Sequence, residues 1–289
     1  MKIYMNGSLV DRAEARVSVY DHGLLYGDGV FEGIRVYGGR AFKLAEHIAR
    51  LYDSAQAIML RIPMDERAMT DAVERTVKAN DLADGYVRLV VTRGEGSLGL
   101  DPTSCPEPGV IIIAGPIALY PPECYEQGIA IVTASTRRSP ADVLEPRVKS
   151  LNYLNNIMAK MEAARAGCRE AVMLNAEGRV AECTADNVFV VRGGTVLTPP
   201  PHEGALDGIT MRTIMELAAS AGLPAGFQPL TRYDLYTADE CFLTGTGAEI
   251  VPVAEVDARR IGRGLVPLPG PVTARLREAF RAMVYGPGA

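Results

Sequence analysis

Residues 145–163 read Glu-Pro-Arg-Val-Lys-Ser-Leu-Asn-Tyr-Leu-Asn-Asn-Ile-Met-Ala-Lys-Met-Glu-Ala, an irregular stretch that leads into a predicted helix. Lysine is scarce in this chain, and most of its cationic side chains are arginines. The lysines are Lys2, Lys43, Lys78, Lys149 and Lys160. A primary amine can condense with a carbonyl group and a guanidinium cannot, so covalent chemistry through an amine has few candidate residues.

Lys149 is the best placed of these amines. Lys2 lies close to the start of the chain, Lys43 falls in a predicted hairpin strand, and Lys78 and Lys160 occupy the polar sides of predicted helices. Lys149 alone directly precedes a helix and is followed by uncharged hydrogen-bonding residues, which are Asn152, Tyr153, Asn155 and Asn156. Composition by itself leaves open the alternative of a solvated lysine at a helix start.

Length and charge limit the kind of protein. A length of 289 residues favours two domains, each able to bury its own core. The net charge of −5 and the lack of a basic run argue against a nucleic-acid partner. No apolar run reaches the roughly 18 residues of a membrane span, and Met1–Gly7 lacks the apolar core of a signal peptide. We therefore expect a cytoplasmic protein without a membrane segment.

The cysteine and histidine residues predict neither a disulfide framework nor a metal site. The cysteines are odd in number, widely spaced and without a C-x-x-C pair, which is typical of reduced thiols. His22, His47 and His202 are too dispersed for the ligand spacing of a zinc site.

Turn and helix signals organise the first part of the chain. Asn6-Gly7 predicts a type I′ hairpin. A loop with Asp21-His22-Gly23 leads to a strand at 26–37, which turns at Gly38-Gly39. Asp65 is a good N-cap for a helix. The expected helices and further strands lie at 44–58, 65–77, 86–93 and 110–114.

The remainder of the chain predicts a second domain. We place an interdomain linker at 118–128, between a small domain at 1–117 and a larger domain at 129–289. The second domain is expected to contain a strand at 129–133, hairpins that turn at 175–178 and 193–194, helices at 210–222 and from Pro271, and a strand at 241–244. Strands outnumber helices and tight turns join many of them, so the predicted fold class is α+β or mixed α/β.

The segment from Lys149 to Asn156, Lys-Ser-Leu-Asn-Tyr-Leu-Asn-Asn, resembles the pyridoxal-phosphate lysine segment of the fold-type IV aminotransferases, the superfamily of branched-chain and D-amino-acid transaminases. The resemblance runs from Met5 to about Val253, with the motifs in the family's order. It implies a two-domain fold-type IV enzyme of the D-amino-acid aminotransferase-like fold, with pyridoxal 5′-phosphate held on a catalytic Lys149.

The sequence also offers candidates for the other parts of such a cofactor site. Gly208-Ile-Thr leads into a helix, whose free N–H groups can bind an anion. Thr244-Gly-Thr-Gly is a second turn rich in N–H groups and hydroxyls. Each candidate has a simpler alternative. Thr210 can be a plain N-cap, Arg50 an exposed arginine, and Glu182 a solvated glutamate of a hairpin. By resemblance, the cofactor-binding positions are Arg50, Lys149, Tyr153, Glu182, Leu206, Ile209, Thr210 and Thr246.

The resemblance also implies a role for each of these cofactor-binding residues. It implies that the phosphate is contacted by Arg50, Ile209, Thr210 and Thr246. It further implies that Glu182 keeps the ring nitrogen protonated, so that the ring can accept electrons. Tyr153 matches the tyrosine that binds the ring hydroxyl, and Leu206 matches an apolar position that packs on the ring.

The substrate positions separate close relatives. By resemblance, the first-domain pocket of branched-chain transaminases is matched by Tyr26, Phe31, Gly33, Arg35, Tyr86 and Arg88. A guanidinium suits bidentate carboxylate binding, although these aromatic residues can equally be core residues of a strand. The loop after Thr92-Arg-Gly has neither the Arg-x-His pair of D-amino-acid transaminases nor the Arg-Gly-Tyr element of aminodeoxychorismate lyases.

The resulting prediction is a transaminase of L-branched-chain amino acids that uses 2-oxoglutarate and acts at least as a homodimer. A D-amino-acid transaminase or an aminodeoxychorismate lyase of the same fold is the second hypothesis. The third, from another class, is a non-catalytic α/β protein that binds a phosphate ligand through the same anion sites.

Overall fold

The computed structural model describes residues 1–117 and 120–286. The chain forms two compact units, which are described separately below. The first consists of Met1–Ile117 together with Val148–Asn152, and the second consists, in its described part, of residues 120–147 and 153–286. Among the described residues, no helix is long and apolar enough to cross a membrane.

The first unit is built on a six-stranded antiparallel sheet in the order β2-β1-β6-β5-β3-β4. The strands are β1 (Lys2–Met5), β2 (Ser8–Asp11), β3 (Gly29–Tyr37), β4 (Arg40–Ala41), β5 (Gly85–Thr92) and β6 (Gly109–Gly115). The predicted hairpin is confirmed, because Asn6 and Gly7 join β1 to β2 with positive φ angles of 46° and 99°.

Two long helices cover one face of this sheet. The helices of the unit are α1 (His22–Tyr26), α2 (Leu44–Ala57) and α3 (Glu66–Ala79), with a short helical turn at Pro102–Ser104. Leu44, Ile48 and Leu51 form an apolar stripe on α2 that joins one core with Ile34 and Val36 of β3. The predicted cap of α3 is confirmed, since the Asp65 carboxylate accepts a hydrogen bond from the Ala68 amide.

Three local predictions in the first unit are wrong. Asp21-His22-Gly23 is not a loop but the start of α1, because the Asp21 carboxylate accepts from the Gly23 amide and so caps a helix of one turn. Tyr26 accordingly ends α1 and lies outside β3. Lys43 lies in no strand; it precedes α2 in a left-handed conformation with φ 52°.

The second unit holds a nine-stranded mixed sheet in the order β12-β11-β10-β13-β14-β7-β8-β9, with β15 paired to β14. The pairs β14–β7, β7–β8 and β11–β12 are parallel. The strands are β7 (Ile129–Thr133), β8 (Glu170–Leu174), β9 (Val180–Cys183), β10 (Asn187–Arg192), β11 (Thr195–Thr198), β12 (Ala225–Phe227), β13 (Glu240–Gly245), β14 (Glu249–Val256) and β15 (Arg259–Arg260).

The helices of the second unit are α4 (Pro122–Gln127), α5 (Leu154–Arg165), α6 (Ile209–Ser220), α7 (Arg232–Tyr236) and α8 (Pro271–Tyr285), with short helical turns at Pro201–Glu203 and Ile261–Gly264. Both predicted hairpins and the helices near Thr210 and from Pro271 are confirmed. The sequence reading missed β12, β14, β15 and α7. Strands and helices in both units confirm the mixed α/β class.

The predicted domain bounds remain a prediction. Residues 118 and 119 of the proposed linker at 118–128 lie outside the described residues, whereas Pro122–Gln127 form α4. Cys124 of that helix is buried in the second unit's core together with Ile129. The segment Val148–Asn152, which the sequence placed in the larger domain, groups with the first unit.

Candidate active site

One face of β3 brings together most of the predicted substrate positions. Side chains alternate between faces along a strand, so Phe31, Gly33 and Arg35 share a face. The antiparallel register sets Gly33 opposite Arg88 and Arg35 opposite Tyr86 of β5. Residues directly opposite each other share a face as well, so these five positions form one surface.

Gly33 is required by the close approach of Tyr86. A Cβ atom built at position 33 would overlap the Tyr86 hydroxyl. The Arg88 guanidinium lies over the Phe31 ring at 4.5 Å and over the Tyr86 ring at 5.5 Å from the centroids. Cation–π contacts of this kind hold a guanidinium in place while leaving its edge able to donate hydrogen bonds. The face therefore combines aromatic surface with cationic charge.

Tyr26 is positioned separately from this face. Its hydroxyl donates a hydrogen bond to the Leu98 carbonyl, and its ring packs edge-on against His22 with 4.9 Å between centroids. The side chain thus ties the end of α1 to the loop that contains Leu98.

Lys149 is held against the start of β3 by its backbone. The Phe31 amide donates to the Lys149 carbonyl and the Leu151 amide donates to the Gly29 carbonyl, each at 2.9 Å. The Lys149 amide donates to Ser54 Oγ of α2 at 3.1 Å. The Lys149 Nζ lies 4.6 Å from the centroid of the Phe31 ring. A half-buried amine that is fixed beside an aromatic ring does not fit the alternative of a solvated lysine.

Arg50 is paired with a residue that the sequence reading missed. Its Nε and Nη2 donate to the two carboxylate oxygens of Glu32 at 2.7 and 2.9 Å. His47 Nδ1 lies 2.7 Å from Glu32 Oε2. Burial pushes the pKa of Glu32 upward, but the Arg50 charge and the contacts with His47 and Arg50 outweigh it and lower the pKa to about 2. The sequence pattern that could have indicated Glu32 is a single glutamate on an otherwise apolar face of the strand.

In the second unit, Glu182 is buried and ion-paired. Its Oε1 lies 2.8 Å from Arg138 Nη2, and its Oε2 accepts a hydrogen bond from the Leu206 amide at 2.9 Å. Arg138 also donates to the Gly204 carbonyl and to Asn156 Oδ1. Glu182 is therefore no solvated hairpin residue, and Arg138 is the partner that the sequence did not reveal.

Asn187 joins the two predicted anion-binding elements. Its Nδ2 donates to the Leu206 carbonyl at 3.0 Å, and a Cβ at position 208 would overlap its Oδ1, so only glycine fits before α6. On the neighbouring strand, Thr244 stands directly opposite Asn187. The start of α6 at Ile209, followed by Thr210, and the turn at 244–247 are thus held next to the same side chain.

The donors at this place fit a phosphate group. The Thr244 Oγ1 is buried and has no hydrogen-bond partner among the described residues. The first amides of α6 have no acceptor within the helix, and helix starts of this kind attract anions. Thr246 is half-buried in the same turn. Tyr153, also half-buried, directly precedes α5.

Asp186 is a buried acid behind this turn. A Cβ at Gly245 would overlap its Oδ1, so the carboxyl group packs directly on the turn backbone. The Tyr120 hydroxyl lies 3.5 Å from its Oδ2. Burial, followed by the charge of Glu170, raises the pKa of Asp186 to about 7. No cluster of three or more His, Cys, Asp or Glu side chains suited to a metal ion occurs in the described part of the chain.

The sequence model of the family described as amino-transferase class IV matches residues 29–256, most of both units. The chain belongs to this family of aminotransferases. Its fold is accordingly fold type IV, and the cofactor of this family of enzymes is pyridoxal phosphate.

Individual relatives cover almost the whole chain. A protein of Methanocaldococcus jannaschii, provisionally named a branched-chain-amino-acid aminotransferase, is 52% identical over 97% of this chain and 96% of its own length. The branched-chain amino acid aminotransferase of Escherichia coli superposes with a TM-score of 0.95 at 35% identity, covering 99% of this chain and 95% of that one.

A third relative carries a ligand. The T.th. branched-chain amino acid aminotransferase, complexed with N-(5′-phosphopyridoxyl)-L-glutamate, superposes with a TM-score of 0.91 at 37% identity over 99% of this chain and 95% of that chain.

Replacement of Arg138 by leucine is expected to destabilise the second unit strongly. The change leaves Glu182 as a buried carboxylate without its ion pair, which typically costs about 3–5 kcal/mol. Urea unfolding followed by circular dichroism measures the loss. Arg192→Leu is the matched control, because its pair with Asp234 is half exposed and pairs of that kind contribute about 0–1 kcal/mol. Equal losses in the two variants would contradict the assignment.

The pKa of Asp186, raised to about 7 by burial, predicts a specific pH dependence of stability. An unfolded aspartate loses its proton near pH 4, whereas the folded chain keeps this proton up to about pH 7, so stability should fall as the pH rises through that window. We expect Asp186→Asn to flatten this fall and to be more stable than the parent protein at about pH 8. Unfolding midpoints across the window test it, with the exposed Glu177→Gln as control. An unchanged slope would count against it.

Proposed function

We propose that this protein transfers the amino group of L-leucine, L-isoleucine and L-valine to 2-oxoglutarate, giving the 2-oxo acids and L-glutamate. The observation that carries the proposal is the position of the Lys149 amine, 4.6 Å from the Phe31 ring on the strand that also presents Arg35. An amine, an aromatic wall and cationic carboxylate-binding groups are what such a substrate requires. The family and the named relatives support the reaction class.

The residues present fit pyridoxal phosphate. When bound, this group supplies an aldehyde carbon for the amino group and a conjugated ring that accepts the electrons left when the substrate's Cα proton departs. In the first unit, Lys149 would hold it covalently and Arg50 would contact its phosphate. In the second unit, the predicted contacts are those of Tyr153, Glu182, Leu206, Ile209, Thr210 and Thr246.

Lys149 also has the role of moving a proton. As a free amine, its Nζ would be the base that takes the proton from the substrate Cα and later returns one. Glu182 is oriented for the ring nitrogen by Arg138 and the Leu206 amide.

The β3 surface accounts for the choice of substrate. Phe31 offers an apolar wall for a branched aliphatic side chain, and Arg88 and Arg35 offer guanidinium groups for a carboxylate. The solved relative that carries a phosphopyridoxyl-L-glutamate ligand supports an L-amino acid with a second carboxylate as one of the substrates.

The alternatives have less support. Arg93, which follows Thr92, is tied by two hydrogen bonds of 2.9 Å to Asp28 and by two more to the Ile58 and Met59 carbonyls. It therefore serves the packing of the first unit, and the next residues bring no second arginine that a D-amino-acid transaminase or a lyase would use. The hypothesis of a non-catalytic phosphate-binding protein does not explain why Lys149 is fixed beside the Phe31 ring.

A homodimer or higher homo-oligomer in the cytoplasm is part of the proposal. Apolar side chains on α5 support self-association, because they are about half exposed or more: Leu154, Ile157, Met158 and Met161.

Purified protein supplied with pyridoxal phosphate is expected to show a visible absorbance band that L-leucine removes and 2-oxoglutarate restores. The reason is that the amino group moves reversibly between substrate and cofactor in alternate half-reactions. Lys149→Ala should lose both the lysine-bound band and turnover, whereas the exposed Lys78→Ala should keep both. A response to D-alanine alone would move the assignment to the D-specific relatives.

Gly33→Ala is expected to lower kcat/KM for 2-oxoglutarate by about 100-fold, because the new Cβ displaces the Tyr86 hydroxyl and a shift of about 1 Å can cost that much. Steady-state kinetics with L-leucine as donor measures it. Gly226→Ala is the control, since that site has open space around it. Wild-type kinetics in Gly33→Ala would show that the β3 surface is not the substrate site.

A further inference from the structure

Glu32 is a carboxylate in a place where folding alone favours an apolar residue. It lies on the helix-covered face of β3, between the core residues Val30 and Ile34. Its side chain is 0% exposed. A buried carboxylate lowers stability unless charged and hydrogen-bonding partners compensate it, and an apolar residue in its place is often at least as stable.

The partners of Glu32 fix one side chain of the proposed cofactor site. Arg50 binds both carboxylate oxygens through Nε and Nη2, so the plane of its guanidinium is set by the carboxylate. The Arg50 side chain is 13% exposed while Glu32 is fully buried, so the arginine extends from the core toward the surface of its unit.

His47 is a second partner of the carboxylate, at Oε2. Burial lowers the pKa of His47, and the nearby positive charges of Arg50 and Lys149 act in the same direction. A neutral His47 donates its Nδ1–H to the ionised Glu32 at 2.7 Å. His47, Arg50 and Ser54 lie at helical spacing on α2, and Ser54 accepts the Lys149 amide. One helix face therefore carries both the carboxylate's partners and the anchor of the lysine.

We propose that Glu32 is the positioning residue for the arginine that binds the cofactor's phosphate: it holds Arg50 in a single orientation, and His47 holds Glu32. The inference rests on the proposed function, because Arg50 meets this phosphate only if the chain binds pyridoxal phosphate. Orientation is the effect that matters here, since removal of Glu32 leaves the positive charge of Arg50 in place.

The test compares binding of pyridoxal 5′-phosphate with binding of pyridoxal, which lacks the phosphate. Dissociation constants are measured by absorbance titration of the purified apo-protein, without reference to turnover. In Glu32→Gln we expect the preference for the phosphorylated compound to fall by about 10- to 100-fold, the range of a charge-assisted hydrogen bond. The affinity for pyridoxal itself should stay unchanged.

Asp28→Asn is the matched control. Asp28 forms the same two-bond pair with Arg93 in the same unit, with both distances at 2.9 Å, but Arg93 has no place in the proposed phosphate site. This variant should keep the wild-type preference for the phosphorylated compound.

Arg50→Lys provides a second route if Glu32→Gln does not fold. It keeps the positive charge beside Glu32 but cannot form the planar two-bond contact, so it should also lose phosphate preference. An unchanged or increased preference in the folded variants overturns the inference while the proposed function stands. If the wild-type protein binds neither compound, or binds both equally, the proposed phosphate site itself is wrong.

Discussion

The first unit depends on the two-residue alternation of strand β3. Between Gly29 and Arg35 this strand carries an apolar and cationic surface on one face and the Glu32 carboxylate on the other. Its backbone edge accepts the Lys149 segment through hydrogen bonds at Gly29 and Phe31. Three functions therefore share seven residues, and a shift in register by one position would exchange the two faces. Val30, Ile34 and Val36 oppose such a shift, because it would move these core residues to the other face.

In the second unit, the pairing of a buried carboxylate with an arginine has a comparable organising role. Arg138 contacts Glu182, Asn156 and the Gly204 carbonyl, so it binds a strand, a helix and a loop at one point. Asn187 then fixes the loop that precedes α6. Irregular backbone beside a helix start is kept in place by side-chain hydrogen bonds, which leaves the amides of α6 available for an anion.

Local signals predicted most of the fold. Asn6-Gly7 and Gly193-Gly194 mark hairpins because these residues adopt positive φ angles readily. Strand β14 was missed because Pro252 interrupts its apolar pattern and proline is unusual inside a central strand. Helix α7 was missed although Thr231 and Asp234 form a capping box at its start. These misses concern short or interrupted elements, whose patterns carry little information.

The sequence by itself indicated the lysine segment and the family, and it predicted the positions for the proposed cofactor and substrates, because these are read from residue type and spacing within short segments. Only the tertiary structure decided which charges are paired. Glu32 meets Arg50 across 18 residues of chain, and Glu182 meets Arg138 across 44, and no local pattern encodes such a pairing. The physical reason is burial: a carboxylate needs a partner once folding removes its water, and which partner is available depends on how strands and helices pack.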